Sequence, residues 1–266
     1  MIGIVLVSHS HAIAEGAAEL ARQMGGEDVR IETAGGLDTP DHQIGTDAVL
    51  VEQAIERAWS EDGVLVLMDL GSAVLSAEMA LELLPDHMRG KVVLTEAPFV
   101  EGAVAAAVTS RIGSSLERVA EEARGGLAAK AAHLGVEIAS EVQTPATGTD
   151  AGGSATAELP VETVHGLHAR PAAQLVRTAA AFDADVRVTN LSAGRGPVSA
   201  RSLNSVATLG VGHGDRIEVT ATGWQAREAI EALVALAVRN FDEEVEVGEA
   251  ARPSTGGAAA VDGGLA

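Results

Sequence analysis

Several kinds of residue are scarce or missing in this 266-residue sequence, and each absence excludes a class of protein. There is no cysteine, which excludes disulfide frameworks, thiolate metal sites and cysteine nucleophiles. Tyrosine is absent and aromatic residues make up 2% of the chain, so stacking surfaces for single-stranded nucleic acid are missing. No uncharged apolar run reaches about 18 residues, the length that spans a membrane. We therefore expect a cytoplasmic protein without a membrane span.

Basic residues are also few. Lysine and arginine number 18 against 38 acidic residues, which gives a formal charge of −20. This excess repels nucleic acid and anionic membrane surfaces and favours basic protein partners. A high acidic balance can equally serve only solubility, and we prefer that interpretation for most of these carboxylates.

The composition along the chain predicts two folded units. Residues 138–157 are rich in Thr, Gly, Ala and Pro without apolar periodicity, which is typical of a flexible linker. Residues 247–266 have a similar composition and are predicted to be a disordered tail. The predicted units are therefore residues 1–137 and 158–246.

Short apolar runs alternate with helical patterns in the first unit. This alternation predicts an α/β fold with a doubly wound parallel sheet and helices on both faces. The predicted strands are 2–7, 29–34, 64–68 and 91–94, and the predicted helical stretches are 11–24, 46–59, 73–84, 100–108 and 114–134.

Polar residues and glycines follow the predicted strands of this sheet. His9 follows the first strand, Gly36 the second, and Asp69, Gly71 and Ser72 the third. The carboxyl ends of parallel strands meet at one edge, where ligands bind in such folds. Glycines let backbone amides approach a phosphate, and a carboxylate beside an imidazole fixes its tautomer and leaves one nitrogen free to attack phosphorus.

Two histidines near this edge are candidates for the imidazole that attacks phosphorus. His9 ends a strand at the predicted crevice, whereas His11 already lies at the start of the next helix. A lone histidine after a strand is more often structural, but Asp69 and the glycine-rich loops at the neighbouring strand ends favour a chemical role for His9.

The second unit contains a histidine at a predicted strand-to-helix junction. His168 is followed by Arg170 and Pro171. The unpaired amides of a helix's first turn and its dipole stabilise an anion, and a guanidinium matches phosphate oxygens. The segment is therefore suited to a phosphoryl group on the imidazole, although a helix-start histidine can also be only a solvated cap.

The segment from Glu162 to about Glu244 resembles the phosphocarrier protein HPr of the bacterial phosphoenolpyruvate:sugar phosphotransferase system. The similarity lies in residues 166–172 (GLHARPA), 199–203 (SARSL) and 208–210 (TLG). It implies an α+β open-faced sandwich in which His168 is phosphorylated and Arg170 steadies the phosphate. Ser202 falls where some HPr proteins have a regulatory serine, but its simpler predicted role is to cap a short helix.

Residues 1 to about 135 resemble the mannose-type IIA domain in the form found in the DhaM family, the phosphoryl donors of phosphotransferase-dependent dihydroxyacetone kinases. The similarity lies in residues 5–10 (VLVSHS), 34–36 (AGG), 44–47 (IGTD), 68–73 (MDLGSA) and 97–103 (APFVEGA). The order of the two units also fits this family. The IIA resemblance further suggests a homodimer formed through the first unit.

The two resemblances imply a phosphoryl relay. Phospho-enzyme I would phosphorylate His168, His168 would phosphorylate His9, and His9 would rephosphorylate ADP held on the subunit DhaL, while DhaK binds the triose. Longer DhaM members continue into a domain related to enzyme I, so for this sequence we expect a separate enzyme I. The chain itself would bind neither free ATP nor dihydroxyacetone.

No cofactor or metal is expected on this chain. The remaining histidines lack the spacing of metal ligands and are predicted to be surface or loop residues. They are His42, His87, His133, His165 and His213. Two alternatives to the relay stay open at this point, namely a component of a mannose-class sugar transporter and a regulatory module that is phosphorylated only as a signal.

Overall fold

The structure, a computed structural model, describes residues 1–136 and 153–243. The predicted tail (247–266) and most of the predicted linker (138–152) lie outside the described residues. Within the described part of the chain, no helix is both long enough and apolar enough to cross a bilayer.

The N-terminal unit is a four-stranded parallel sheet with helices on both faces, as predicted. The strand order is β2-β1-β3-β4. The strands are β1 (Gly3–Ser8), β2 (Ile31–Gly35), β3 (Val64–Met68) and β4 (Val92–Thr95). The helices are α1 (His11–Gly25), α2 (Ala48–Ala58), α3 (Gly71–Leu83), α4 (Asp86–Arg89), α5 (Phe99–Arg111), α6 (Leu116–Arg124) and α7 (Ala128–Leu134).

Alternation along β1 explains the two helical layers. Ile4 and Leu6 belong to the apolar core shared with α1, α5 and α6, whereas Val5 and Val7 belong to the core shared with α2 and α3. All four side chains are fully buried, and burial of each such side chain contributes about 1.5–3 kcal/mol. A strand that is apolar on both faces is typical of a sheet covered on both sides.

The predicted helical stretch 114–134 is divided in the structure. Helix α6 ends at Arg124, a 3₁₀ turn covers Gly125–Leu127, and α7 follows. Gly126 explains the break, because a Cβ there would lie 2.9 Å from the backbone of Glu101 in α5. The glycine therefore allows a close approach between the chain and α5, and that approach depends on tertiary packing.

The C-terminal unit is an antiparallel sheet covered by helices, the predicted open-faced sandwich. The strand order is β5-β8-β6-β7. The elements are β5 (Ser154–Pro160), α8 (Ala169–Ala180), β6 (Asp185–Asn190), β7 (Arg195–Ser199), α9 (Leu203–Thr208), β8 (Arg216–Thr222) and α10 (Ala226–Val238). Ile217, Val219 and Ala221 alternate along β8 and are fully buried, while the residues between them are partly exposed.

Strand β5 begins earlier than the sequence indicates. Residues 154–157, which we assigned to the linker, pair with β8 as part of β5. Their side chains are Ser, Ala, Thr and Ala, alternately exposed and half-buried. Small residues with this low apolar content resemble linker composition, and only the pairing with β8 reveals the strand.

Candidate functional site

His9 is held at the carboxyl end of β1 by a carboxylate that follows β3. Oδ1 of Asp69 lies 2.9 Å from Nδ1 of His9. Its Oδ2 accepts hydrogen bonds from the His9 amide at 2.9 Å and from the Ser8 hydroxyl at 2.8 Å. The two residues meet because β1 and β3 are neighbouring parallel strands whose carboxyl ends share one edge.

This contact determines which nitrogen of His9 is available. Burial raises the pKa of the Asp69 carboxyl, but hydrogen bonds from His9, Ser8 and Leu70 outweigh that effect and lower the pKa below its ordinary value. An ionised carboxylate only accepts, so the ring proton resides on Nδ1. The lone pair of Nε2 then faces the Ser72 hydroxyl, which donates to it at 2.6 Å.

The predicted loop residues around His9 have different roles. Gly71 and Ser72 are exposed and begin α3, and their N–H groups have no acceptor among the described residues. They are therefore free to donate to an anion on Nε2. Gly36 donates its N–H to the Ser8 carbonyl at 3.1 Å and has a φ of +77°. Its amide is occupied, so Gly36 shapes the turn beside the site.

His11 does not share the environment of His9. Its ring stacks on that of His42, with centroids 4.2 Å apart and planes 11° apart. His42 lies in the loop between β2 and α2 and has a φ of +45°. The stack therefore packs this loop against the start of α1, at the side of the site.

His168 is the residue that precedes the first turn of α8, as predicted. Its backbone is extended, with φ −70° and ψ −176°, and its ring is 37% exposed. The N–H groups of Ala169 and Arg170 have no acceptor among the described residues, and Pro171 has no N–H. The approach to the helix requires Gly166, whose φ is +70° and where a Cβ would lie 2.1 Å from the Val211 carbonyl oxygen.

A second carboxylate, Glu243, holds His168 and was missed by the sequence reasoning. Its Oε1 lies 2.8 Å from Nε2 of His168, and its Oε2 accepts from the Val164 amide at 3.2 Å. The hydrogen bond with His168 lowers the pKa of Glu243 below its ordinary value. The Nε2 proton is therefore held by Glu243, and the lone pair of Nδ1 is left for chemistry.

No local sequence signal identifies Glu243. It is 75 positions from His168 and follows a turn in which Asn240, Phe241 and Asp242 have φ values of 54–55°. Left-handed backbone costs about 1–2 kcal/mol per non-glycine residue, and the fully buried Phe241 anchors this turn. The carboxylate reaches His168 only through that tertiary anchor.

Arg170 and Ser202 are not directed at the His168 ring. Nη2 of Arg170 donates to Oε1 of Gln23 in the N-terminal unit at 3.2 Å. Ser202 is 3% exposed, and its hydroxyl accepts from the Ser205 amide at 3.1 Å as the cap of α9. A phosphate-steadying Arg170 and a regulatory Ser202 both stay predictions.

The remaining histidines that we assigned to the surface are exposed: His42, His87, His133, His165 and His213. Across residues 1–136 and 153–243, no group of three or more His, Asp or Glu side chains is arranged to hold a metal ion.

Comparison with known families matches both halves of the chain. Residues 3–120 match EIIA-man, the PTS system fructose IIA component, and residues 155–239 match the PTS HPr component phosphorylation site.

Individual relatives match either most of the chain or about half of it. The chain is 40% identical over 260 residues to the PEP-dependent dihydroxyacetone kinase phosphoryl donor subunit DhaM of Klebsiella michiganensis, covering 96% of this chain and 54% of that protein. It is 41% identical over 249 residues to DhaM of Escherichia coli K12, covering 93% and 52%. It is 43% identical over 122 residues to DhaM of kinase 2 of Listeria innocua, covering 46% and 96%. The chain thus spans about half the length of the first two relatives and nearly all of the third.

Proposed function

This chain belongs to the DhaM family, and from that premise we propose that it is a phosphohistidine relay with two stations. His168 takes the phosphoryl group from phospho-enzyme I, and His9 takes it from His168. His9 then transfers it to ADP held on the DhaL subunit of a dihydroxyacetone kinase, whose DhaK subunit binds the triose. Like these partners, the chain would act in the cytoplasm, and it would pair with a second copy through its N-terminal unit.

The observation that carries the proposal is common to both histidines. One nitrogen of each ring is hydrogen-bonded to a carboxylate, and each histidine lies by a helix N-terminus with unpaired amides. The carboxylate holds the proton and orients the ring, while the amides stabilise a phosphate. The nucleophile is therefore Nδ1 in His168 and Nε2 in His9.

The transfer between the stations balances in atoms and electrons. The Nε2 lone pair of His9 forms a P–N bond while the P–N bond to Nδ1 of His168 breaks and its electrons return to that nitrogen. The proton on the far nitrogen of each ring stays in its hydrogen bond to Asp69 or Glu243. The transition state is loose, so alignment and donors to the equatorial oxygens supply most of the rate.

Both attacking imidazoles must be neutral. A protonated ring nitrogen has no lone pair with which to attack phosphorus. No metal is needed, because the backbone amides of Ala169, Gly71 and Ser72 offer donors to the phosphate in place of a cation.

Phosphoryl flow through single-histidine variants tests the relay. The chain is incubated with enzyme I and labelled phosphoenolpyruvate, and the label is mapped by site-resolved mass spectrometry. His168→Ala should abolish labelling of both histidines until a free HPr carrier is added, after which His9 becomes labelled. His9→Ala should leave His168 labelled and stop delivery to ADP on DhaL.

Two neighbouring histidines serve as matched controls. His11→Ala and His165→Ala change rings close to each station, and both variants should label and deliver as the unsubstituted chain does. Label on a variant that lacks both His9 and His168 would refute the assignment. Label that stays on His9 in the presence of DhaL and ADP would favour the regulatory alternative, and delivery to a mannose-class permease component would favour the transporter.

A further inference from the structure

The C-terminal unit packs against one helical layer of the N-terminal unit. Val104 and Val108 of α5 and Ile112, the residue after it, recur every four residues. Together with Met24 of α1, they pack against the apolar core of the C-terminal unit. An apolar stripe at this spacing occupies one face of a helix. The stripe is therefore a docking surface whose occupant is the C-terminal unit of the same chain.

Hydrogen bonds across this docking surface involve α8, which begins after His168, and α9. Arg170 of α8 bonds to Gln23 as described above, and Arg177, also of α8, donates to the Met24 carbonyl at 3.3 Å. Nδ2 of Asn204 in α9 donates to the Glu122 carbonyl of α6 at 2.6 Å. The guanidinium expected to hold the phosphate is thus engaged in the contact between the units.

The docked position places His168 beside α5 and α7 of the N-terminal unit. His168 lines a cavity of about 600 Å³ whose other walls include Glu101 of α5 and Lys130 and His133 of α7. No residue of the loops that surround His9 lines this cavity. His9 instead contacts Ser72 of α3, in the helical layer on the opposite face of the sheet.

The length of α1 indicates how far apart the two ends of the N-terminal unit are. His11 begins α1 beside His9, and Gln23, which contacts the C-terminal unit, lies near its end. Twelve residues of α helix span about 18 Å. Reacting atoms must approach to about 3–3.5 Å.

We infer that this docked arrangement is a closed state in which the His168 station cannot reach His9, so that transfer within the chain requires release of the C-terminal unit. The inference rests on the proposed relay. Its physical basis is that only molecules in the open state can transfer the phosphoryl group from His168 to His9. The observed transfer rate is therefore proportional to the open fraction. Release also frees Arg170 from Gln23 for the phosphate.

A disulfide across the docking surface tests the closed state, and the absence of native cysteine makes it selective. A Cβ placed on Gly125 would lie 3.7 Å from Cγ of Asn204. A cysteine Sγ at position 204 would take the place of that Cγ, so the two positions are close enough for a disulfide to join them. The chain with Gly125→Cys and Asn204→Cys is compared oxidised and reduced. His9 labelling is expressed per phosphorylated His168, in the dilute range where the rate is independent of protein concentration.

We expect oxidation to slow His168-to-His9 transfer by about 100-fold or more, while a free HPr carrier added to the same oxidised chain still labels His9. Oxidation can also stop the labelling of His168 itself while the carrier still labels His9. That result supports closure as well, because the contact between the units then shields His168 from every donor. Equal rates in the oxidised and reduced chains overturn the inference. Failure of His9 to accept label from any donor, in either form, instead overturns the proposed relay.

A second variant opens the contact without cysteines. Val104→Arg places a charge in the apolar stripe and should raise the rate per phosphorylated His168 by about tenfold. Val238→Arg is the matched control, because Val238 is 82% exposed on α10, and it should leave the rate unchanged. A rate for Val104→Arg equal to that of the control would contradict the closed state.

Discussion

Each unit of this chain contains a histidine that is hydrogen-bonded to a carboxylate through one ring nitrogen. Asp69 bonds to Nδ1 of His9, and Glu243 bonds to Nε2 of His168. The two stations would therefore use opposite ring nitrogens. A carboxylate that fixes the tautomer keeps the reactive lone pair available in every neutral molecule.

Asp69→Asn tests this role at the scale of one residue. The amide retains the shape but loses the charge that holds the Nδ1 proton, so phosphorylation of His9 should fall by about 100-fold while His168 still becomes labelled. Quench-flow measurement with site-resolved mass spectrometry gives both rates. Asp41→Asn, on the exposed loop between β2 and α2, is the control and should have no effect.

The same substitution has a pH signature. Because the folded-state pKa of Asp69 is lowered, its charge stabilises the fold above the ordinary range of an aspartate and loses that effect as pH falls through the lowered pKa. The free energy of unfolding should therefore differ most between the chain and Asp69→Asn near pH 7, and the difference should shrink towards about pH 3. A difference that grows on acidification would contradict this assignment of the charge.

At the scale of elements, helix starts place amides beside each histidine, and the chain before each helix determines where they point. For α3, the preceding β3 fixes the position. For α8, the loop from β5 is fixed by Gly166, whose missing Cβ lets it approach Val211. The geometry around His168 therefore depends on a residue that lies outside α8 and has no side chain.

Gly166→Ala should displace the start of α8. The added methyl group meets a backbone carbonyl, and φ is positive, so we expect a loss of unfolding free energy of about 2–4 kcal/mol and slower labelling of His168. Gly194→Ala is the control, with φ +63° but no atom within 4 Å of the new Cβ, and should cost only about 1 kcal/mol. Urea denaturation measures both, and equal costs would show that the contact with Val211 is unimportant.

At the scale of the whole molecule, the contact between the units contains a buried carboxylate. Glu122 of α6 is 4% exposed, pairs with Arg118, and has an Oε2 without a hydrogen-bond partner among the described residues. Burial raises its pKa above the ordinary value, although Arg118, Ser202 and Asn204 act in the opposite direction. The charge on Glu122 therefore disfavours the docked state near neutral pH.

Glu122→Gln should stabilise the docked state. Since the folded pKa is raised, the cost of ionisation is absent below the ordinary range of a glutamate and appears as pH rises through the raised value. The melting temperature of the variant should exceed that of the chain near pH 7, and the gap should close near about pH 4. Glu78→Gln, at an exposed position on α3, is the control. A gap that persists at low pH would show that ionisation is not the cause.

Much of the fold follows from local patterns. The alternation of strand-like and helix-like segments predicted the parallel sheet. The residues that follow the strands predicted that His9, Asp69 and Ser72 meet. The division of 114–134 at Gly126 and the strand pairing of residues 154–157 escaped prediction. Both depend on a partner surface that is distant along the sequence, and small residues give little periodic signal.

The sequence by itself determined that His9 follows a strand and that His168 precedes a helix. Periodicity, helix starts and glycine turns depend on residues only a few positions apart. Only the tertiary structure decided that Glu243 holds His168, that Arg170 faces Gln23, and that the two units dock through α5. These contacts depend on the shapes of packed surfaces and on a left-handed turn anchored by Phe241. Such surfaces exist only once the chain has folded.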